Sequence, residues 1–232
     1  MGQRSQIYVR VNNEYNETVL VARYFAWNFG ERMVSRARHT IDWLKEYLSY
    51  DGKHLERTGK NRAYLPNSLY RRLIKVIETN FDLIDVADTS DIVEEYRVWG
   101  DYNESNAPAF AEGFISYVFT EHDNNDGKLF IDVLTSGEIK YAFTDSDANT
   151  NNIMDGIAYM KWNGYGDFRN KLPTEYFTAE DIKTCDENIS TIEKTATLMT
   201  KEELEEFIHH DYKIRPYTAE EQEDAQKKPF AS

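Results

Sequence analysis

Asp132, followed six residues later by Glu138-Ile139-Lys140, is the grouping in this chain best suited to chemistry. Two neighbouring carboxylates hold a divalent cation, and a lysine beside them positions a water for attack on a phosphodiester. A second grouping, Asp145, Asp147 and Asn149, sets oxygen ligands at alternate positions, as the start of a calcium loop does. There the match stops, because Thr150 stands where a calcium loop wants glycine and Gly156 where it wants a bidentate glutamate. A strand exit followed by an Asn-rich helix cap accounts for the same residues. Gly52-Lys53 and Gly59-Lys60 lack the spacing of a phosphate loop, and Asn61 replaces its Ser or Thr. His209-His210-Asp211 has no further histidines spaced to complete a metal cluster, and reads as a helix C-terminus. No dinucleotide fingerprint, nucleophile elbow or His-Glu-x-x-His helix is present, so no cofactor is expected.

The elements around Asp132 decide what its carboxylate can reach. Lys128 to Leu134 and Glu138 to Phe143 are β-rich runs joined by Thr135-Ser136-Gly137. With those three residues as the loop and Gly137 in the left-handed position, Asp132 falls opposite Lys140 and Leu134 opposite Glu138. Ile131, Val133, Ile139, Tyr141 and Phe143 then share one apolar face. Asp132, Glu138 and Lys140 thus resemble the Asp then Glu-x-Lys core of metal-dependent nucleases of the restriction-endonuclease-like class, which implies magnesium-assisted cleavage. The spacing is tight for that class, and a solvent-facing cross-strand ion pair between Asp132 and Lys140 explains the residues equally well.

Elsewhere the patterns predict an N-terminal hairpin, Gln6 to Val11 and Val19 to Trp27, then a long helix from Gly30 to about Ser49 with Met33, Ala37, Ile41, Leu44 and Leu48 at helical spacing. Leu69, Leu73, Ile74 and Ile77 mark a second helix ending near Asn80. Phe81 to Tyr96 shows no clean period. Phe114 to Thr120 is a third β-rich run, making a three-stranded central meander with the two above. Ala179 to Ile192 and Lys201 to His209 read as helices, the latter opened by a capping box from Thr200 to Glu203. The expectation is an α+β fold with an antiparallel sheet packed by helices and an acidic helical C-terminal part. Residues 1–170 are expected to form the main domain, 171–217 a helical appendage and 218–232 a mobile acidic tail.

Charge divides the chain. Residues 1–75 carry 14 Lys and Arg against 7 Asp and Glu, and residues 76–232 carry 13 against 34. Arg32, Arg36, Arg38, Lys53, Arg57, Lys60, Arg62, Arg71, Arg72 and Lys75 could line a phosphate-binding surface. An overall charge of −14 repels nucleic acid, so internal neutralisation is the expected use of these cations. Plentiful aromatics, 16 Tyr, 12 Phe and 4 Trp, set the chain apart from disordered acidic sequences. Cys185 is the single cysteine, which excludes an intramolecular disulfide. No apolar leader or membrane-length run is visible, which suggests a cytoplasmic protein.

The opening, Gly2-Gln3-Arg4-Ser5-Gln6-Ile7-Tyr8-Val9-Arg10, together with Ala22-Arg23-Tyr24-Phe25-Ala26-Trp27-Asn28-Phe29-Gly30-Glu31-Arg32-Met33, resembles a group of small phage and prophage proteins of uncharacterised function. The resemblance covers about the first 50 residues and implies action in a bacterial cytoplasm. In general character an acidic phage protein without catalytic motifs is similar to inhibitors of host defence, anti-CRISPR proteins among them. Expected partners are a host or phage protein, or a second copy whose basic face meets an acidic one, with no membrane and no nucleic acid. If exposed, Arg4, Arg10, Arg23 and Trp27 would make a binding surface. If covered, they are structural.

Overall fold

The computed structural model describes residues 4–12, 18–26, 28–55, 73, 76–77, 92–97 and 126–210. Strands β1 (Arg4–Asn12) and β2 (Thr18–Ala26) form the expected antiparallel hairpin, and β3 (Ile92–Arg97) adds antiparallel to β2. β4 (Lys128–Val133) and β5 (Ile139–Thr144) pair antiparallel in the register that the Gly137 turn dictates, with Asp132 opposite Lys140. Gly137 has φ +84°, and its N–H reaches the Leu134 carbonyl at 2.8 Å. Only glycine takes that conformation cheaply, so the turn fixes which face each later side chain occupies.

The fold is α+β, but the sheet is mixed rather than antiparallel. Among the described residues its strands, six in number, run in the order β3-β2-β1-β4-β5-β6, where β6 is the two-residue strand Thr197–Leu198. β1 pairs parallel with β4, Gln6 beside Lys128, and β6 pairs parallel with β5. The place beside β4 that a meander would give to Phe114 to Thr120 is therefore filled by β1, and that run lies outside the described residues. So do Trp27, residues 56–72 and residues 211–232, with the C-terminal stretch expected as a tail among them.

Because β1 is central, both of its faces must be covered. Ile7, Val9 and Val11 join Leu129, Ile131, Val133, Ile139, Tyr141 and Phe143 on one face. Over them lies α1 (Glu31–Leu55), which buries Met33, Val34, Ala37, Ile41 and Leu44 and runs six residues beyond its expected end. Next to it packs α3 (Ala179–Thr195), burying Cys185, Ile189 and Ile192 and opened by a Thr178–Asp181 capping box. Between β5 and α3 come α2 (Gly156–Met160), capped by the Asp155 side chain, a π-type turn Lys161–Tyr165 and a single 3₁₀ turn, Phe168–Asn170. Each fully buried aliphatic or aromatic side chain here contributes about 1.5–3 kcal/mol over its exposed state. Leu73 and Ile77, from the expected second helix, are helical and buried in the same core.

Two polar features enter this apolar layer. Arg36 is buried, with its Nε donating to Asn28 Oδ1 at 2.9 Å, an Nη1 bond to the Ile77 carbonyl and its guanidinium 4.5 Å over the Phe25 ring. Gly30 precedes α1 at φ +53°, and a Cβ there would lie 2.4 Å from the Tyr165 ring. Tyr165 in turn hydrogen-bonds Glu31, whose carboxyl is raised above its ordinary range chiefly by burial. Burial likewise pushes up the Cys185 thiol, helped by Glu31 and Asp186.

The other face of the sheet is covered by α4 (Lys201–His209), whose bounds and Thr200–Glu203 capping box are those read from the sequence. Leu204, Phe207 and Ile208 pack on Tyr8, Leu20, Phe130 and Ala142 in a second, smaller cluster. Tyr8 stacks on Phe130 at 4.9 Å, and Phe207 meets Phe130 edge-on at 5.4 Å. Of the two helices expected in residues 171–217, α3 packs beside α1 in the first cluster and α4 lies in the second.

Candidate functional site

Arg10 sits on β1 between Tyr8 and Asn12, facing α4, and is 3% exposed. Its Nε donates to Asp132 Oδ1 at 2.8 Å and its Nη2 to Asp132 Oδ2 at 2.6 Å. The same Nη2 donates to Glu206 Oε2 of α4 at 2.6 Å, and the guanidinium lies 4.6 Å from the Phe207 ring centroid. Asn12 Nδ2 donates to Asp132 Oδ1 and to the Val133 carbonyl, both at 3.1 Å. The planar fork of arginine suits this bidentate geometry, and the low surrounding dielectric strengthens it. Glu206 extends the chain of contacts to His210, whose Nδ1 lies 2.6 Å from Glu206 Oε1.

Lys140 does not turn to its cross-strand partner. Its Nζ donates to Glu203 Oε1 at 2.7 Å and lies 3.5 Å from Glu138 Oε1. The hydrogen bond to Glu203 is the main cause that raises the Lys140 ammonium pKa. Burial pushes Glu203 upward, but the Lys140 bond and the Thr200 backbone N–H outweigh it and hold the carboxyl below its ordinary range. Glu206 behaves alike, with burial opposed and overcome by Arg10 and His210.

These contacts show what the expected nuclease residues do. Asp132 gives both oxygens to Arg10 and Asn12, whereas Glu138 and Lys140 belong to a separate set completed by Glu203. A cation at Asp132 would have to displace a bidentate guanidinium, and α4 covers the face from which substrate would approach. Among the described residues, no three His, Cys, Asp or Glu side chains converge to hold a metal ion.

In the Asp145, Asp147, Asn149 loop, the side-chain oxygens of Asp145 and Asn149 are engaged by the loop itself, while Asp147 and Asn149 are exposed. Asp145 Oδ1 accepts from the backbone N–H of Asp147 at 3.2 Å and of Asn149 at 3.0 Å, and its Oδ2 accepts from Asn152 Nδ2 at 3.0 Å. Asn149 Oδ1 accepts from the Asn151 N–H at 3.0 Å. The loop carries the Ser146 carbonyl to the buried Lys128 ammonium, which burial pushes down to about 8 against the pull of Asp147 and Asp145. Thr150 and Asn151 bond Glu205 and Lys201 of α4 at 3.1 and 2.7 Å, so the loop docks that helix.

Of the four residues expected on a binding surface, Arg10 is the one whose side chain is described, and it is buried rather than exposed. The hairpin register pairs Arg10 with Leu20, Arg4 with Ala26 and Arg23 with Ile7. Glu203, Glu206 and Phe207 were not singled out as partners of Arg10 and Lys140. The acidic spacing of α4 behind its capping box was the available signal. Comparison of the chain with protein-family models, with curated proteins and with solved structures finds no match.

Proposed function

We propose that this chain is a phage-derived, non-enzymatic protein that acts in a bacterial cytoplasm by binding another protein, as inhibitors of host defence such as anti-CRISPR proteins do. The observation that carries this reading is where the charges go. Arg10, Arg36, Arg38, Lys128 and Lys140 are spent on contacts within the fold, and the exposed residues of 126–210 carry nine Asp and Glu against six Lys and Arg. An acidic outer surface steers association toward a basic partner and repels nucleic acid. No helix among the described residues is long and apolar enough to cross a membrane, which agrees with a partner met in solution.

The test is affinity capture from a bacterial lysate, in parallel with binding to free duplex and single-stranded nucleic acid. Salt-sensitive retention of a specific protein, with no retention of nucleic acid, is expected. Strong nucleic-acid binding with no protein partner would overturn the reading, and magnesium-dependent cleavage lost in Asp132→Ala would replace it with the nuclease.

A further inference from the structure

We infer that α4 is a lid that acid releases from the sheet while the rest of the fold stays assembled. Its apolar hold is small. Leu204, Phe207 and Ile208 belong to the cluster around Phe130, and the larger cluster under α1 and α3 contains no side chain of this helix. A unit whose contacts are not shared with the main core can open on its own. The rest of its hold is polar: Glu206 on Arg10, Glu203 on Lys140, Glu205 on Thr150 and Lys201 on Asn151.

The two ion pairs can break without stranding a charge. When α4 leaves, Arg10 keeps both oxygens of Asp132, and Lys140 keeps Glu138 at 3.5 Å. On the helix, the Glu203 and Glu206 side chains are 37% and 52% exposed, so protons reach them while it is docked and water receives them once it is not. Facing Glu206 are Arg10, with Asp132 behind it, and His210. Facing Glu203 are Lys140, with Glu138 behind it, and the Thr200 N–H.

Burial pushes both carboxyls up, but their bonds to Lys140 and Arg10 outweigh it and hold them below 4.5. In an undocked helix they return to their ordinary range. Docking is therefore fully supported above about pH 4.5 and weakens as pH falls through the lowered values. Under α1 the sign is opposite: Glu31 is raised chiefly by burial, so acid relieves that face while it loosens this one. Opening takes the Phe207 edge off Phe130 and uncovers the Tyr8–Phe130 stack beside an intact Arg10–Asp132 pair.

Two thiols in one chain read the two faces separately. Cys185 is buried in the larger cluster and reports opening of the main core, and Ile208→Cys adds a buried thiol on α4. The full-length variant is labelled with a dithiodipyridine reagent, which reacts with thiols in acid, and the two positions are resolved by peptic digestion and mass spectrometry. From about pH 7 to about pH 3.5, labelling at position 208 should rise about tenfold relative to Cys185. With Glu203→Gln/Glu206→Gln added, position 208 should label readily at pH 7 and the ratio should lose its pH dependence. Leu204→Cys, one turn earlier, repeats the measurement where circular dichroism shows Ile208→Cys misfolded. A ratio that stays constant with pH overturns the acid trigger. Joint labelling of both positions at every pH means that α4 opens only with the whole fold, and overturns the lid.

Discussion

The two faces of one sheet are closed by different physics. Under α1 and α3 the strands present nine apolar side chains from Ile7 to Phe143, and cohesion there is mainly removal of hydrocarbon from water. Under α4 a small cluster around Phe130 and Phe207 is ringed by Arg10, Asp132, Lys140, Glu203 and Glu206. The apolar face selects its helices mainly by shape, with the buried Arg36–Asn28 bond as its polar exception. The charged face accepts a helix only if its carboxylates arrive at Arg10 and Lys140, so it specifies which helix, and in which orientation, closes the fold.

The largest expected contrast comes from breaking each face once. Arg10→Ala leaves Asp132 buried without its cation and should cost about 3–5 kcal/mol, whereas Arg10→Met/Asp132→Leu should recover most of that loss because the carboxylate left without arginine, Glu206, is half-exposed and stays hydrated. Ile131→Ala, on the apolar face, should cost about 2–5 kcal/mol through transfer and cavity formation, and no second substitution at Asp132 should rescue it. Urea denaturation of these three variants and of Ile131→Ala/Asp132→Leu reads the difference.

Acid should separate the faces next. Glu203 and Glu206 have pKa values lowered from 4.5, so they bind protons less readily in the folded chain than in the unfolded one. Their stabilisation is fully present above about pH 4.5 and disappears as pH falls through the lowered values. The thermal midpoint should drop in that range, and Glu203→Gln/Glu206→Gln should flatten the dependence at the expense of stability at pH 7.

The smallest effect has the opposite sign and sits on the apolar face. Glu31 is raised from 4.5, so its ionised form destabilises the fold at neutral pH, and the penalty is relieved as pH falls toward 4.5. Glu31→Gln should therefore raise the thermal midpoint slightly at pH 7 and leave it unchanged below pH 4.5.

Sequence legibility followed the range of each signal. The β4–β5 register, the Thr200–Glu203 box and the N-terminal hairpin were readable because each is set by residues a few positions apart. α1 outran its expected end because helical geometry continues through Gly52, which reads locally as a break. β3 was missed since Ile92–Arg97 mixes apolar and acidic residues with no period. The parallel pairing of β1 with β4 leaves no local mark at all. For the site, Asp132 and Lys140 were found and placed opposite one another, but nothing near them tells a surface ion pair from charges answered by a distant helix.

The parallel pairing has a consequence during synthesis. β1, β2 and α1 leave the ribosome well before Lys128 to Val133, the segment that must hydrogen-bond the second edge of β1. Through that interval, a strand carrying Ile7, Val9 and Val11 offers an unpaired edge to any other nascent chain. The start of the polypeptide is a client of its own later half, and a chain stopped before Lys128 would seek that missing neighbour elsewhere, as an aggregate.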